Sequence, residues 1–220
     1  MSEAAGRPRA ARMPAGARRA QILEVAQDLF AREGFHHVSM DDIADAAAVS
    51  KPVLYRHFPS KLDLYLAVVD HRGEALVARI DAALAAIPER DTTGRDVVRA
   101  IVGAYVEFVE QAGESFSLLF ESDVTRDADV RLRVEHASAE AAQAICRGLQ
   151  GVAGLDDAEA RLAAAALVGM AQVAATNRYR TGDVAVERAV ELVTDLSWRG
   201  VAGLVRDRAA ASAADSPAGA

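Results

Sequence analysis

The chain has 220 residues, 51% hydrophobic, 26% charged and 5% aromatic, with a formal net charge of -7. This composition supports a buried core and excludes a disordered polymer, and the single cysteine, Cys146, excludes an internal disulfide framework and any multi-cysteine zinc site. Residues 1–61 hold nine Lys/Arg against seven Asp/Glu and residues 62–220 hold sixteen against twenty-five, so a slightly basic head precedes an acidic body, a balance that leaves nucleic acid open as a partner.

Residues 1–16, rich in Ala, Gly, Pro and Arg, have no hydrophobic period and read as a disordered basic arm. A first helix is expected from about Ala17 to Glu33. Ile22, Ala26, Leu29 and Phe30 recur on one face, and Gly34 stops the helix. His36 and His37 follow in a loop. Neighbouring residues point to different sides, so no metal site and no cofactor are expected. Ser39 caps a short second helix, with Asp42 as its capping-box partner and Ile43 and Ala44 facing inward. After a tight turn at residues 48–50, Ser50 caps a third helix that tolerates Pro52 in its first turn and ends at Pro59. Ser60 and Asp63 open a fourth helix, which runs to about Ala86. Further helices are expected at about 92–112, 114–123, 127–149, 156–180 and 183–206, followed by a disordered small-residue tail at 208–220. No period-two alternation supports a strand. The longest apolar run, residues 162–171, is ten residues against the ~20 needed to span a membrane, and the arginines of the amino terminus precede no apolar stretch. A cytoplasmic location is the default. Cys146 is expected to be a buried structural thiol.

Two short serine-opened helices joined by a small-residue turn, with a longer helix behind them, form the pattern of a helix-turn-helix, whose second helix enters the major groove of DNA. Leu54 and Phe58, four apart, anchor that helix. Lys51 and Arg56 can reach base edges or phosphates, Tyr55 and His57 can donate to phosphate oxygens, and Val53 can touch a thymine methyl. Lys61 stands in the first turn of the next helix, where the helix dipole favours an anion. No nucleophile–base arrangement, glycine-rich phosphate loop or metal-ligand spacing points to an enzyme.

The segment SMDDIADAAAVSKPVLYRHFPSKLDLY, with ILEVAQDLFAREGF before it, resembles the DNA-binding domain of TetR-family transcriptional regulators. The residues that carry the likeness are Ile43-Ala44, Val49-Ser50, Leu54-Tyr55, His57-Phe58 and Lys61. Ala48 departs from it, standing where a glycine is usual, so the turn is expected to take an alanine-compatible conformation. Pro52 and Val53 lie at recognition-helix positions that vary among relatives. The resemblance implies an all-α protein with a three-helix DNA-binding domain at 17–62 and a helical regulatory and dimerisation domain at 63–207. It further implies a homodimer on a palindromic double-stranded DNA operator, usually a repressor, with a small-molecule effector. The DNA-binding set is then Ser39, Ser50, Lys51, Pro52, Val53, Tyr55, Arg56, His57 and Lys61. The alternative is an effector-independent regulator or activator without a pocket.

The last helix is apolar on several faces, with Val190, Val193, Trp198 and Val201 among its residues. The helix before it offers Leu162 and Ala166 for close approach. One chain cannot easily cover both, so these six residues are expected to form an isologous four-helix interface with a second copy. Candidate effector contacts are Tyr105, Phe108, Phe116, Phe120, Met170 and Asn177, whose spacings also suit plain core.

Overall fold

The computed structural model describes residues 14–88, 93–120, 124, 127–153 and 156–214, with the helical backbone alone described at 144, 147–153 and 201–214. Among the described residues the elements are all helical: α1 (Ala15–Glu33), α2 (Met40–Ala46), α3 (Lys51–His57), α4 (Lys61–Ala85), α5 (Gly94–Ala112), a 3-10 turn at Gly113–Phe116, α6 (Ser117–Phe120), α7 (Ala128–Ala153), α8 (Asp157–Thr181) and α9 (Val186–Ala214). Residues 208–214 are thus helical where a disordered tail was expected, because the alanine-rich sequence that reads as low complexity also favours helix. Of the expected basic arm, residues 1–13 lie outside the described residues, and Ala15 and Gly16 already belong to α1. The chain divides into two compact units between Tyr65 and Leu66.

In the first unit, α1 buries Ile22, Leu23, Ala26 and Phe30, so Leu23 takes the inward place expected of Leu29. Phe30, Phe35 and Tyr65 pack ring to ring, with centroids 5.0–5.9 Å apart. Such pairs add to the burial of their area. Ile43 of α2, Leu54 of α3, Phe58 just after it and Leu64 of α4 join that core.

In the second unit α5 is the central helix and packs against α7, α8 and α9. It buries Val98, Ile101, Val102, Tyr105 and Val109. Thr93 caps it through a capping box with Asp96, and Asp156 caps α8 with Glu159 in the same way. Ion pairs tie neighbouring helices: Asp70 of α4 to Arg133 of α7, Arg79 of α4 to Glu107 of α5, and Arg95 of α5 to Glu191 and Asp195 of α9. Each is partly exposed and is worth only about 0–1 kcal/mol, so these pairs select register more than they stabilise. Gly73 of α4 is required by closeness: a Cβ built there would lie 2.8 Å from the Cβ of Ala137 on α7. Cys146 is buried.

By length and composition alone α8 of the second unit, 25 residues long, passes for a membrane-crossing helix, a test that a core helix also passes; 33% of its most apolar stretch is buried. Counting uninterrupted apolar residues missed it because Gln172 and Thr176 break the run without making the helix polar on average.

Candidate nucleic-acid interface

The interface is set by local chain chemistry before any packing. Ser39 caps α2 in a closed capping box. Its Oγ accepts from the Asp42 N–H at 3.1 Å, and its own N–H donates to Asp42 Oδ2 at 2.8 Å. The Ser39 hydroxyl also donates to the same carboxylate, and these bonds hold the Asp42 pKa below the ordinary carboxylate value. Ser39, expected among the DNA contacts, is therefore engaged in building α2.

The turn between α2 and α3 is a Schellman closure. Val49 N–H donates to Ala44 O at 2.9 Å and Ala48 N–H to Asp45 O at 3.1 Å. This closure needs a left-handed residue at its second position, and Ala48 supplies it with φ +50°. The expected alanine-compatible conformation is overturned: alanine adopts the conformation of the glycine it replaces. Gln21 of α1 donates from Nε2 to Ala47 O at 3.3 Å, so α1 satisfies a carbonyl that the end of α2 leaves open.

Ser50 precedes α3 in an extended conformation but makes no side-chain capping bond. A capping hydroxyl accepts from the second or third helical N–H. Here Pro52 has none, and Val53 N–H goes to Ser50 O at 2.9 Å. The cap expected of the Ser50 side chain is thus replaced by a backbone one, with the hydroxyl at an exposed position.

Within α3, Leu54 is fully buried, and Phe58 behind it is 2% exposed. Lys51, Pro52, Tyr55 and Arg56 are exposed and Val53 is half-buried. The helix therefore has one anchored side and one open side carrying two cations, a phenol and a proline. Lys51 Nζ is 2.7 Å from Asp41 Oδ2. His57 departs from expectation: it is half-buried, and its Nε2 is enclosed without a hydrogen-bond partner, so that nitrogen is not presented to a phosphate. Lys61 departs further. Its ammonium donates to Phe35 O at 2.8 Å and Val38 O at 2.9 Å, and lies 4.3 Å from the centre of the Phe35 ring. It fastens the α1–α2 loop to the start of α4, which leaves at most one N–H for a phosphate.

Two basic side chains of α1 were given no place by the sequence. The Arg19 guanidinium lies 4.9 Å from the centre of the Phe58 ring, at the carboxyl end of α3. Arg18 is held by Gln21, its Nη1 donating to Oε1 at 2.7 Å. Their only sequence signal was the arginine excess of the first twenty residues, which names no neighbour.

The second unit rearranges the other expected sites. Leu162, Ala166, Met170 and Val173 are exposed along one side of α8, and Leu192 and Leu196 along one side of α9. Val190, expected at an interface between copies, is instead 8% exposed, because α9 turns the side carrying Ala189, Val190, Thr194 and Ser197 inward, α5 and α8 being its main neighbours. Val193 and Trp198 are half-buried, and the side chain of Val201 lies outside the described residues. Of the expected effector contacts, Tyr105, Phe108 and Phe116 are buried. Phe120 is half-buried and stands 6.2 Å from Tyr105 and 5.9 Å from Phe108, ring centre to ring centre. Burial raises the Tyr105 pKa above its ordinary value. Met170 and Asn177 are corrected: both face outward, since the inward side of α8 is taken by Ala164, Leu167, Val168, Ala171 and Ala175. A separate cleft of about 360 Å³ is lined by residues including Ala83, Arg99, Gly103, Glu107 and Glu187, and none of the six expected contacts lines it.

The sequence model of the bacterial regulatory proteins of the tetR family matches residues 22–68, which span α1 to α3 and the start of α4. The chain is 35% identical over 200 residues to the transcriptional activator FasR of Mycolicibacterium smegmatis, an alignment covering 90% of this chain and 89% of that one. It is 36% identical over 137 residues to a helix-turn-helix transcriptional repressor of Mycobacterium tuberculosis, covering 58% of this chain and 73% of that one. Among solved structures, a TetR-like transcriptional regulator from Rhodococcus sp. RHA1 superposes with a TM-score of 0.69 at 30% identity, over 87% of this chain and 100% of that one. With its exposed α3 on a helix-turn-helix, the chain belongs to the TetR family: it is a DNA-binding transcriptional regulator and not an enzyme.

Proposed function

We propose that the protein works in the cytoplasm as a homodimeric repressor on a palindromic operator, and that a small-molecule effector releases it. The observation that carries this reading is the two-sided α3: Leu54 is buried while Lys51, Pro52, Tyr55 and Arg56 stand open to solvent. In each subunit α3 lies in the major groove, with Lys51, Val53 and Arg56 toward base edges. Tyr55, Ser50 and the remaining Lys61 N–H face phosphates, and Ser39 and His57 support the helices rather than touch DNA. A dimer sets two such helices about one helical turn, ~34 Å, apart or somewhat more.

The apolar row Leu162, Ala166, Met170 and Val173, with Leu192 and Leu196, supports pairing of α8 and α9 with those of a second copy, since exposed apolar rows of this length mark an interaction face. The cluster of Tyr105, Phe108 and Phe120 supports an aromatic-lined effector site in the second unit. Occupation favours the arrangement that cannot hold DNA, and α4, the covalent link between the units, transmits the change.

Footprinting on DNA upstream of the protein's own coding sequence tests the reading, with two protected half-sites expected. Absence of specific protection at low and moderate salt overturns it. Wild type is expected to sediment as a dimer and Leu162→Glu with Leu196→Glu as a monomer, and a monomeric wild type removes the paired-helix model. A second reading, activation from the bound site, is favoured by the activator name of the relative at 35% identity. Transcription from the protected promoter rises on adding protein in that case and falls in the first.

A further inference from the structure

The open side of α3 carries a carboxylate partner that a simple phosphate-binding surface would not have. Lys51 Nζ is held 2.7 Å from Asp41 Oδ2, on the first turn of α2, and the two side chains are 60% and 57% exposed. Asp41, then Asp45 and the Tyr55 hydroxyl more weakly, raise the Lys51 pKa, so the ammonium stays charged while its field is locally cancelled. The first unit, residues 1–65, holds nine Lys/Arg and eight Asp/Glu, a net charge of only +1 with which to bind duplex DNA indiscriminately.

Non-specific binding is driven by cations that neutralise phosphates and release condensed counterions. An ammonium already paired with a carboxylate releases few. We infer that Asp41 is a specificity-determining residue: it withholds Lys51 from phosphates on arbitrary DNA and yields it where a base edge stands in register. The balance is suited to this, because an exposed lysine–carboxylate pair is weak and is outweighed by a well-placed base contact. The acid also has an ordinary role, favouring the amino end of α2 through the helix dipole, but that role does not touch the salt dependence of DNA binding. The inference rests on the placement of α3 at DNA proposed above.

The test measures affinity for a short mixed-sequence duplex between 50 and 200 mM salt, for wild type, Asp41→Asn and the charge-matched control Asp28→Asn on α1. Freeing one phosphate contact steepens log K against log salt by about 0.9 for each contacting subunit, which is about a 3.5-fold larger loss of affinity over that range. Asp41→Asn is expected to show that steepening and to tighten binding at 50 mM, while Asp28→Asn keeps the wild-type slope. Adding Lys51→Gln to Asp41→Asn is expected to remove the gain. Thermal melts verify that the variants fold. A wild-type slope in Asp41→Asn, or an equal change in Asp28→Asn, overturns the inference. If Lys51→Gln lowers the slope as much in the wild-type background as beside Asp41→Asn, the restraint by Asp41 fails while α3 remains on DNA. If DNA is bound but neither Lys51→Gln nor Arg56→Gln has any effect, α3 lies off the DNA and both readings fall.

Discussion

Replacing Lys61 by methionine separates a structural fastening from a phosphate contact. The substitution keeps the apolar stem and removes the ammonium, and with it the bonds to Phe35 O and Val38 O and the charge above the Phe35 ring. Hydrogen bonds from a charged donor contribute about 1.5–3 kcal/mol each, and a cation over an aromatic ring at a partly exposed site about 0.5–1 kcal/mol. Two effects offset this. The side chain is half-buried, so water replaces part of what is lost, and up to about 2 kcal/mol of rotamer freedom returns to a lysine that is no longer pinned. A net loss of about 2 kcal/mol remains. Urea denaturation followed by circular dichroism reads the loss, and hydrogen exchange locates it at residues 34–39, whose amides are expected to exchange faster. DNA affinity falls with it, because the loop sets where α2 begins and α2 positions α3. A loss below about 0.5 kcal/mol, together with a salt slope shallower by about 0.9, would refute the fastening and return Lys61 to the phosphate role that its sequence position suggests.

Ala48→Gly is expected to stabilise the first unit by up to about 1 kcal/mol, since glycine adopts the left-handed conformation without the Cβ strain and loses only part of the gain to chain entropy; an unchanged or lower urea midpoint counts against a strained turn. Gly73→Ala gains about 1 kcal/mol of helix propensity but drives a methyl into Ala137, an overpacking that costs about 1–3 kcal/mol. A net loss is expected, restored by Ala137→Gly in the same chain, and a more stable Gly73→Ala alone would show that α4 and α7 part without resistance. Asp42 and Asp96 are held below the ordinary 3.8 by the hydroxyl and then the N–H of Ser39 and of Thr93. Their carboxylates therefore stabilise the fold above pH ~4, and the contribution is lost as pH falls through the lowered values. Asp42→Asn should destabilise at pH 7 and progressively less as pH falls below 3.8, and a loss that stays constant over that fall would remove the capping box from the explanation.

Much of the first unit was legible because its signals are local. Ser39 with Asp42, Gly34, and Leu54 with Phe58 each act within a turn or two of chain, where sequence spacing is spatial spacing. The left-handed Ala48 was not, since alanine does not announce that conformation; the Schellman closure at the end of α2 carries it. Lys61 was misjudged for a related reason. Its partners are 26 and 23 residues away, so its position at a helix start showed the dipole but not the two carbonyls.

The same division holds in the second unit. Helix existence and approximate ends followed from composition, caps and period. The orientation of α8 and α9 about their own axes did not. Both are alanine-rich and apolar on several sides, so a row through Val190 and a row through Leu192 and Leu196 are equal candidates for the interior until α5 claims one of them. Sequence determines which segments coil and where they stop, because those free energies arise between residues a few positions apart. Only the tertiary structure decides which face turns inward and which charged side chain finds a partner, because those depend on neighbours brought from far along the chain.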